Sequence, residues 1–250
     1  MIRAMIFDLD GTLVETERLK ALSYARAVAE LCPGAFAEQD VVEAFKDVVG
    51  RSRDEVAAAL TARFALHSAA EARAREFGVS EPWQVLARLR LPYYEAILAD
   101  PEVLRASRWP HNIALLHSAR RMGCKTGLAS MSYGDQVRRV LKVLALEDAF
   151  DFIAARDDVV HPKPDPEIYF LVAGRLGVPP GECLVIEDSP VGVQAAVSAG
   201  MPVIAVTTPF TRGQFAERDV LDRRWVVDDP GTLPDVVRQR MAAPRGDGGR

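Results

Sequence analysis

From about residue 108 onward, short β-rich apolar runs alternate with helical patterns that stop at glycine. That rhythm fits a parallel sheet with helices on its faces. The runs are 125–130, 152–155, 183–188, 202–207 and 225–227, and residues 4–8 supply a similar one at the start of the chain. Their near-continuous hydrophobicity is that of strands buried on both faces. Between them, 111–122, 136–144, 167–176 and 191–199 carry helical spacing, with Gly123, Gly177 and Gly200 as stops.

Between the first run and the second lies an insert of different texture. It is rich in Ala, Glu and Arg, poor in β-branched runs, and reads as four or five helices, among them 19–31, 54–65 and 82–98. A parallel sheet has no place for such a block in its layers, so it forms a second unit. The expected organisation is an α/β, Rossmann-like core over 1–16 and 107–243, a helical domain over 17–106, and a disordered tail at 244–250, where Gly, Pro and charge dominate.

The charge balance narrows the partners. The chain has 31 Lys and Arg against 35 Asp and Glu, a net of −4, and so no general footprint for nucleic acid or an anionic membrane. The first residues run straight into Asp8-Leu9-Asp10 and make neither a signal peptide nor a membrane span. Three widely spaced cysteines argue against a disulfide framework and point to a reducing, cytoplasmic setting. Oligomeric state leaves no mark on the sequence.

In an open parallel sheet, ligands bind beyond the carboxyl ends of the strands. The first run ends in Asp8-Leu9-Asp10-Gly11-Thr12, the second in Ser130 and the fourth in Glu187-Asp188-Ser189, while Lys163 lies between prolines in a loop after the third. Asp8 and Asp10, two apart, point the same way along a strand, and Gly11 permits the turn that follows. Like charges 4 Å apart repel by about 4 kcal/mol at an effective dielectric of 20. A hard divalent cation relieves that repulsion, and Mg²⁺ matches a set of carboxylate oxygens shared with substrate phosphate and water. Ser130 and Lys163 add a donor and a positive charge for the same phosphate oxygens.

Each element also has a plainer role. Asp-x-Asp after a strand is a common turn, Ser130 is an ordinary strand-end serine, and Ser189-Pro190 reads as a helix start. Their joint appearance at successive strand ends favours chemistry over turns. In order, Asp8-Leu9-Asp10-Gly11-Thr12, Ala129-Ser130, Lys163-Pro164-Asp165-Pro166 and Glu187-Asp188-Ser189 resemble the four motifs of the haloacid dehalogenase superfamily of aspartyl phosphotransferases. The resemblance spans about residues 4–210, and the helical insert is similar to the cap of the family's first subclass.

The resemblance implies Asp8 as nucleophile, Asp10 as general acid and then base, and Ser130 and Lys163 as holders of the transferring phosphoryl group. It implies Mg²⁺ held by Asp8, Asp188 and the Asp10 carbonyl, with Glu187 as a ligand or its support. Gly50, Arg53 and Lys20 are the candidate substrate-binding residues of the cap, Arg53 for a second anionic group. Gly50-Arg51-Ser52-Arg53-Asp54 is similar to the family's substrate-contacting loop, though Ser52 with Glu55 also reads as a helix cap. The expected activity is hydrolysis of a small phosphorylated metabolite, a sugar phosphate or similar. The alternatives are a phosphohexomutase of the β-phosphoglucomutase type, a phosphonate hydrolase, and a catalytically silent binding protein. Lys20 stands where the mutases carry a histidine, which favours the phosphatase.

Overall fold

The computed structural model describes residues 1–49 and 51–243; Gly50 and the tail expected to be disordered at 244–250 lie outside the described residues. The chain divides into two compact units, one of residues 1–15 and 104–250, the other Thr16–Val103.

The first unit is built on a six-stranded sheet. β1 (Ala4–Phe7), β2 (Lys125–Ala129), β3 (Phe152–Ala154), β4 (Cys183–Glu187), β5 (Val203–Val206) and β6 (Val226–Val227) lie in the order β3-β2-β1-β4-β5-β6. Every pairing is parallel, and β1 sits between β2 and β4 with Ala4 opposite both Lys125 and Cys183. All four residues of β1 and all five of β4 are buried, as continuous apolar runs require. Burial pushes the Cys183 thiol up to about 12, so this strand cysteine is an inert packing group.

One face of the sheet packs on helix Glu167–Leu176, whose Ile168, Tyr169 and Val172 join Ile6, Ala129 and Val185 in a single core. The helix comes so close to β2 that a Cβ at Gly127 would lie 2.4 Å from Val172 Cγ1. Replacing Gly127 by Ala is therefore expected to overpack this contact and destabilise the core by about 1–3 kcal/mol, read as a lower urea midpoint at unchanged slope.

The Thr16–Val103 unit is helical: Thr16–Leu31, Glu38–Lys46, Arg53–Arg63, His67–Phe77 and Pro82–Leu98. Its interior is mainly aliphatic, and two aromatic pairs add to it: Tyr24 against Phe45 at 5.8 Å between centroids, and half-buried Phe36 edge-on to Phe64 at 4.9 Å. The capping role of Ser52 is realised. The Glu55 amide donates to Ser52 Oγ at 3.3 Å and the Ser52 amide donates to Glu55 Oε2 at 2.9 Å, starting helix Arg53–Arg63. Among the described residues no helix is long and apolar enough to cross a membrane.

Candidate active site

β1, β2 and β4 are adjacent, so the polar residues that end them meet at one edge. The Asp8 amide still donates to the Ile186 carbonyl at 3.0 Å, and beyond it the chain leaves the sheet in a tight turn. Gly11 makes that turn at φ +85°, a left-handed conformation that side-chain-bearing residues rarely adopt. Space demands glycine as well, since a Cβ there would lie 2.0 Å from Asp188 Oδ2. The turn is anchored from helix Pro110–Arg121, where Asn112 Nδ2 donates to the Thr12 carbonyl at 2.6 Å.

Asp8, Glu187 and Asp188 are buried, and each offers an oxygen within 4.8 Å of the others. Lys163 reaches into this group with its side chain only 4% exposed. Its Nζ donates to Glu187 Oε1 at 2.6 Å, Asp8 Oδ1 at 2.8 Å and the Ala129 carbonyl at 3.0 Å. Burial alone would favour loss of its proton, but the Asp8 and Glu187 charges outweigh that and hold the ammonium well above the usual lysine range. Asp8 is also displaced upward from its carboxylate norm, which in its case favours the neutral form. Desolvation drives its pKa well up and the Glu187 and Asp10 charges add to the rise, against the pull of Lys163.

Glu187 is occupied on both oxygens. Oε1 accepts from Lys163 and from the Tyr169 hydroxyl at 3.1 Å; Oε2 accepts from the Asp188 and Ser189 amides at 2.8 and 3.0 Å and from Ser189 Oγ at 3.1 Å. Ser189 also caps helix Pro190–Ser198, accepting from the Gly192 amide at 3.1 Å, so the helix-start reading and the site reading of this segment hold together. A Cβ at Gly192 would sit 1.7 Å from Glu187 Oε1.

Asp10 is bonded to residues at β2's exit. Its Oδ2 accepts from Ser130 Oγ at 3.2 Å and from Ser132 Oγ at 2.7 Å.

The residues gathered here are those of the segments that resemble the haloacid dehalogenase motifs, and the likeness extends beyond them. The family model for haloacid dehalogenase-like hydrolases covers residues 2–200. The chain belongs to that family. Among related haloacid dehalogenase-like proteins, it is 30% identical over 221 residues to validoxylamine A 7′-phosphate phosphatase of Streptomyces hygroscopicus subsp. limoneus, covering 88% of this chain and 93% of that one. It is 28% identical to the phosphoglycolate phosphatase of Rhodospirillum rubrum, over 94% of this chain and 90% of the relative. The structure of β-phosphoglucomutase from Clostridium difficile superposes with a TM-score of 0.69 at 26% identity, over 96% and 97% of the two chains.

The three candidate substrate-binding residues, Gly50, Arg53 and Lys20, belong to the Thr16–Val103 segment of the chain. Gly50 lies outside the described residues. Arg53 opens helix Arg53–Arg63, its carbonyl accepting from the Tyr24 hydroxyl at 3.3 Å. Lys20, on helix Thr16–Leu31, is 4.0 Å from Glu17. In the loop that carries Lys163, His161 Nδ1 lies 2.9 Å from Glu167 Oε2.

Reading the sequence missed Ser132, Tyr169 and Asn112. Ser132 repeats at β2 the two-residue spacing of Asp8 and Asp10, which is the one signal that could have singled it out. Tyr169 and Asn112 read as helix residues with no motif, and only the fold brings them to the site.

Proposed function

We propose that this haloacid dehalogenase-like hydrolase is a Mg²⁺-dependent phosphatase of a small phosphorylated metabolite, working through an aspartyl-phosphate on Asp8. The observation that carries the metal is the charge count at the buried centre: one ammonium, that of Lys163, among the carboxylates of Asp8, Glu187 and Asp188. The donors are all hard oxygens, as Mg²⁺ requires, and phosphatases of this family generally use a divalent metal. Asp8 and Asp188 would hold the ion by side chain and Asp10 by its carbonyl. Glu187, with both oxygens engaged, is assigned to holding Lys163 and the Asp188 loop rather than to the metal. Bound there, Mg²⁺ supplies positive charge to the phosphoryl oxygens.

In the first step an Asp8 oxygen forms a bond to phosphorus as the bond to the leaving oxygen breaks, and Asp10 gives that oxygen its proton. In the second, Asp10 takes a proton from water whose oxygen bonds to phosphorus, and the acyl phosphate opens to return Asp8 and release phosphate. Lys163 both neutralises Asp8 between turnovers and, with Ser130, binds the phosphoryl oxygens during them. Arg53 and Lys20 are proposed as substrate-binding residues because they are cations suited to an anionic metabolite.

The test is phosphate release from a panel of phosphomonoesters, including hexose phosphates and phosphoglycolate, with phosphonoacetaldehyde alongside. Turnover is expected with Mg²⁺, falling to background in EDTA and returning with added Mg²⁺. No Mg²⁺-stimulated release from any member would refute the reading. Conversion of a hexose 1-phosphate to its 6-phosphate would favour the mutase, and cleavage of phosphonoacetaldehyde alone the phosphonate hydrolase.

A further inference from the structure

Both proton transfers of the proposed cycle depend on Asp10, and its carboxylate is gripped by a serine outside the four motifs. Ser132 Oγ donates to Asp10 Oδ2 at 2.7 Å, a shorter bond than the 3.2 Å from Ser130 Oγ to the same oxygen. The Ser132 amide donates to Ser130 Oγ at 3.0 Å, which turns the Ser130 hydroxyl proton toward Asp10. The three residues thus close a ring of hydrogen bonds on one carboxylate oxygen.

The backbone around Ser132 is fixed without help from its side chain. Its carbonyl accepts from the Arg156 amide at 3.0 Å, and two residues on the Gly134 amide donates to Asp157 Oδ1 at 2.8 Å. The hydroxyl is therefore not needed to shape the loop. Ser130, in contrast, has two claims on its single proton, because the proposed mechanism turns it to the phosphoryl group. When it does so, Ser132 is the hydroxyl that keeps hold of Asp10.

We propose that Ser132 is a positioning residue that orients the Asp10 carboxylate for proton transfer to the leaving oxygen and from the attacking water. This rests on the assignment of Asp10 as acid and base, and the two can be separated by leaving-group dependence. A leaving group that departs as a stable anion needs no proton, so phosphoenzyme formation from p-nitrophenyl phosphate depends little on Asp10, and that from phenyl phosphate depends on it more.

Single-turnover rates with both esters would be measured for the wild type, Ser132→Ala, Ser132→Thr and Asp10→Asn. Ser132→Ala is expected to slow phenyl phosphate about tenfold and p-nitrophenyl phosphate less than about threefold, with KM changed less than about twofold. Ser132→Thr, which keeps the hydroxyl, is expected to recover most of the phenyl phosphate rate. Equal loss on both esters, a rise in KM at unchanged rate, or no recovery with threonine would overturn the proposal. If Asp10→Asn shows the leaving-group dependence and Ser132→Ala does not, only the role of Ser132 falls. If Asp10→Asn shows none, the acid–base assignment falls and this proposal with it.

Discussion

Asp8→Asn is expected to lower turnover by at least about 10³-fold while leaving the fold as stable as before, or more so. Removal of the proposed nucleophile takes away the bond on which the proposed cycle turns. Stability should hold for two reasons. The amide oxygen of asparagine can still accept from Lys163 Nζ, the bond that Asp8 Oδ1 makes at 2.8 Å. The substitution also removes an ionisable carboxyl from a buried site where desolvation, with the Glu187 and Asp10 charges adding to it, already pushes the Asp8 pKa up. Acid-quenched wild type should carry labelled phosphate that hydroxylamine removes, as an acyl phosphate would, and the variant should carry none. Retained turnover in a folded variant would exclude Asp8 as nucleophile.

The second large effect is on stability. Lys163→Met leaves Asp8 and Glu187, whose side chains are 7% and 1% exposed, without the ammonium that bridges them. Methionine fills the space of the lysine stem, so the change is chiefly electrostatic. Loss of one partner from a buried ion pair costs about 3–5 kcal/mol, and measured without added metal the melting temperature is expected to fall by roughly 10 °C. The pair Lys163→Met with Glu187→Gln should recover part of that loss, because the second change removes one of the stranded charges. An unchanged melting temperature for Lys163→Met would show that the bridge contributes nothing to stability.

What could be read before the structure was the part encoded by local rules. Apolar runs gave the strands, and their polar ends gave Asp8, Ser130, Glu187 and Asp188, because side chains beyond the last ladder bond of a parallel sheet face the cleft. Lys163 was legible for its place between prolines. The partners of these groups were not. Tyr169 earns its role only when its helix folds onto β2 and brings the hydroxyl to Glu187, and Asn112 only when its helix meets the turn after β1. Glu187 could be placed at the centre from sequence, but its division of labour depends on counting donors around each oxygen. Ser132 looks like any loop serine until Asp10, more than a hundred residues earlier, is brought beside it.

The glycine at position 192 has a consequence for how this protein can change. In the first turn of a helix, alanine is the residue most substitutions would drift toward, since it favours the helix by up to about 1 kcal/mol. Here the exchange drives a methyl group into the carboxylate that holds Lys163, and at position 11 it does the same against Asp188. In both places the obstructing group is a carboxylate of the proposed reaction centre, so making room for the methyl group would displace a residue of that centre. Mutant libraries aimed at new substrates should therefore treat 11 and 192 as closed to every side chain and direct their diversity elsewhere in the sequence.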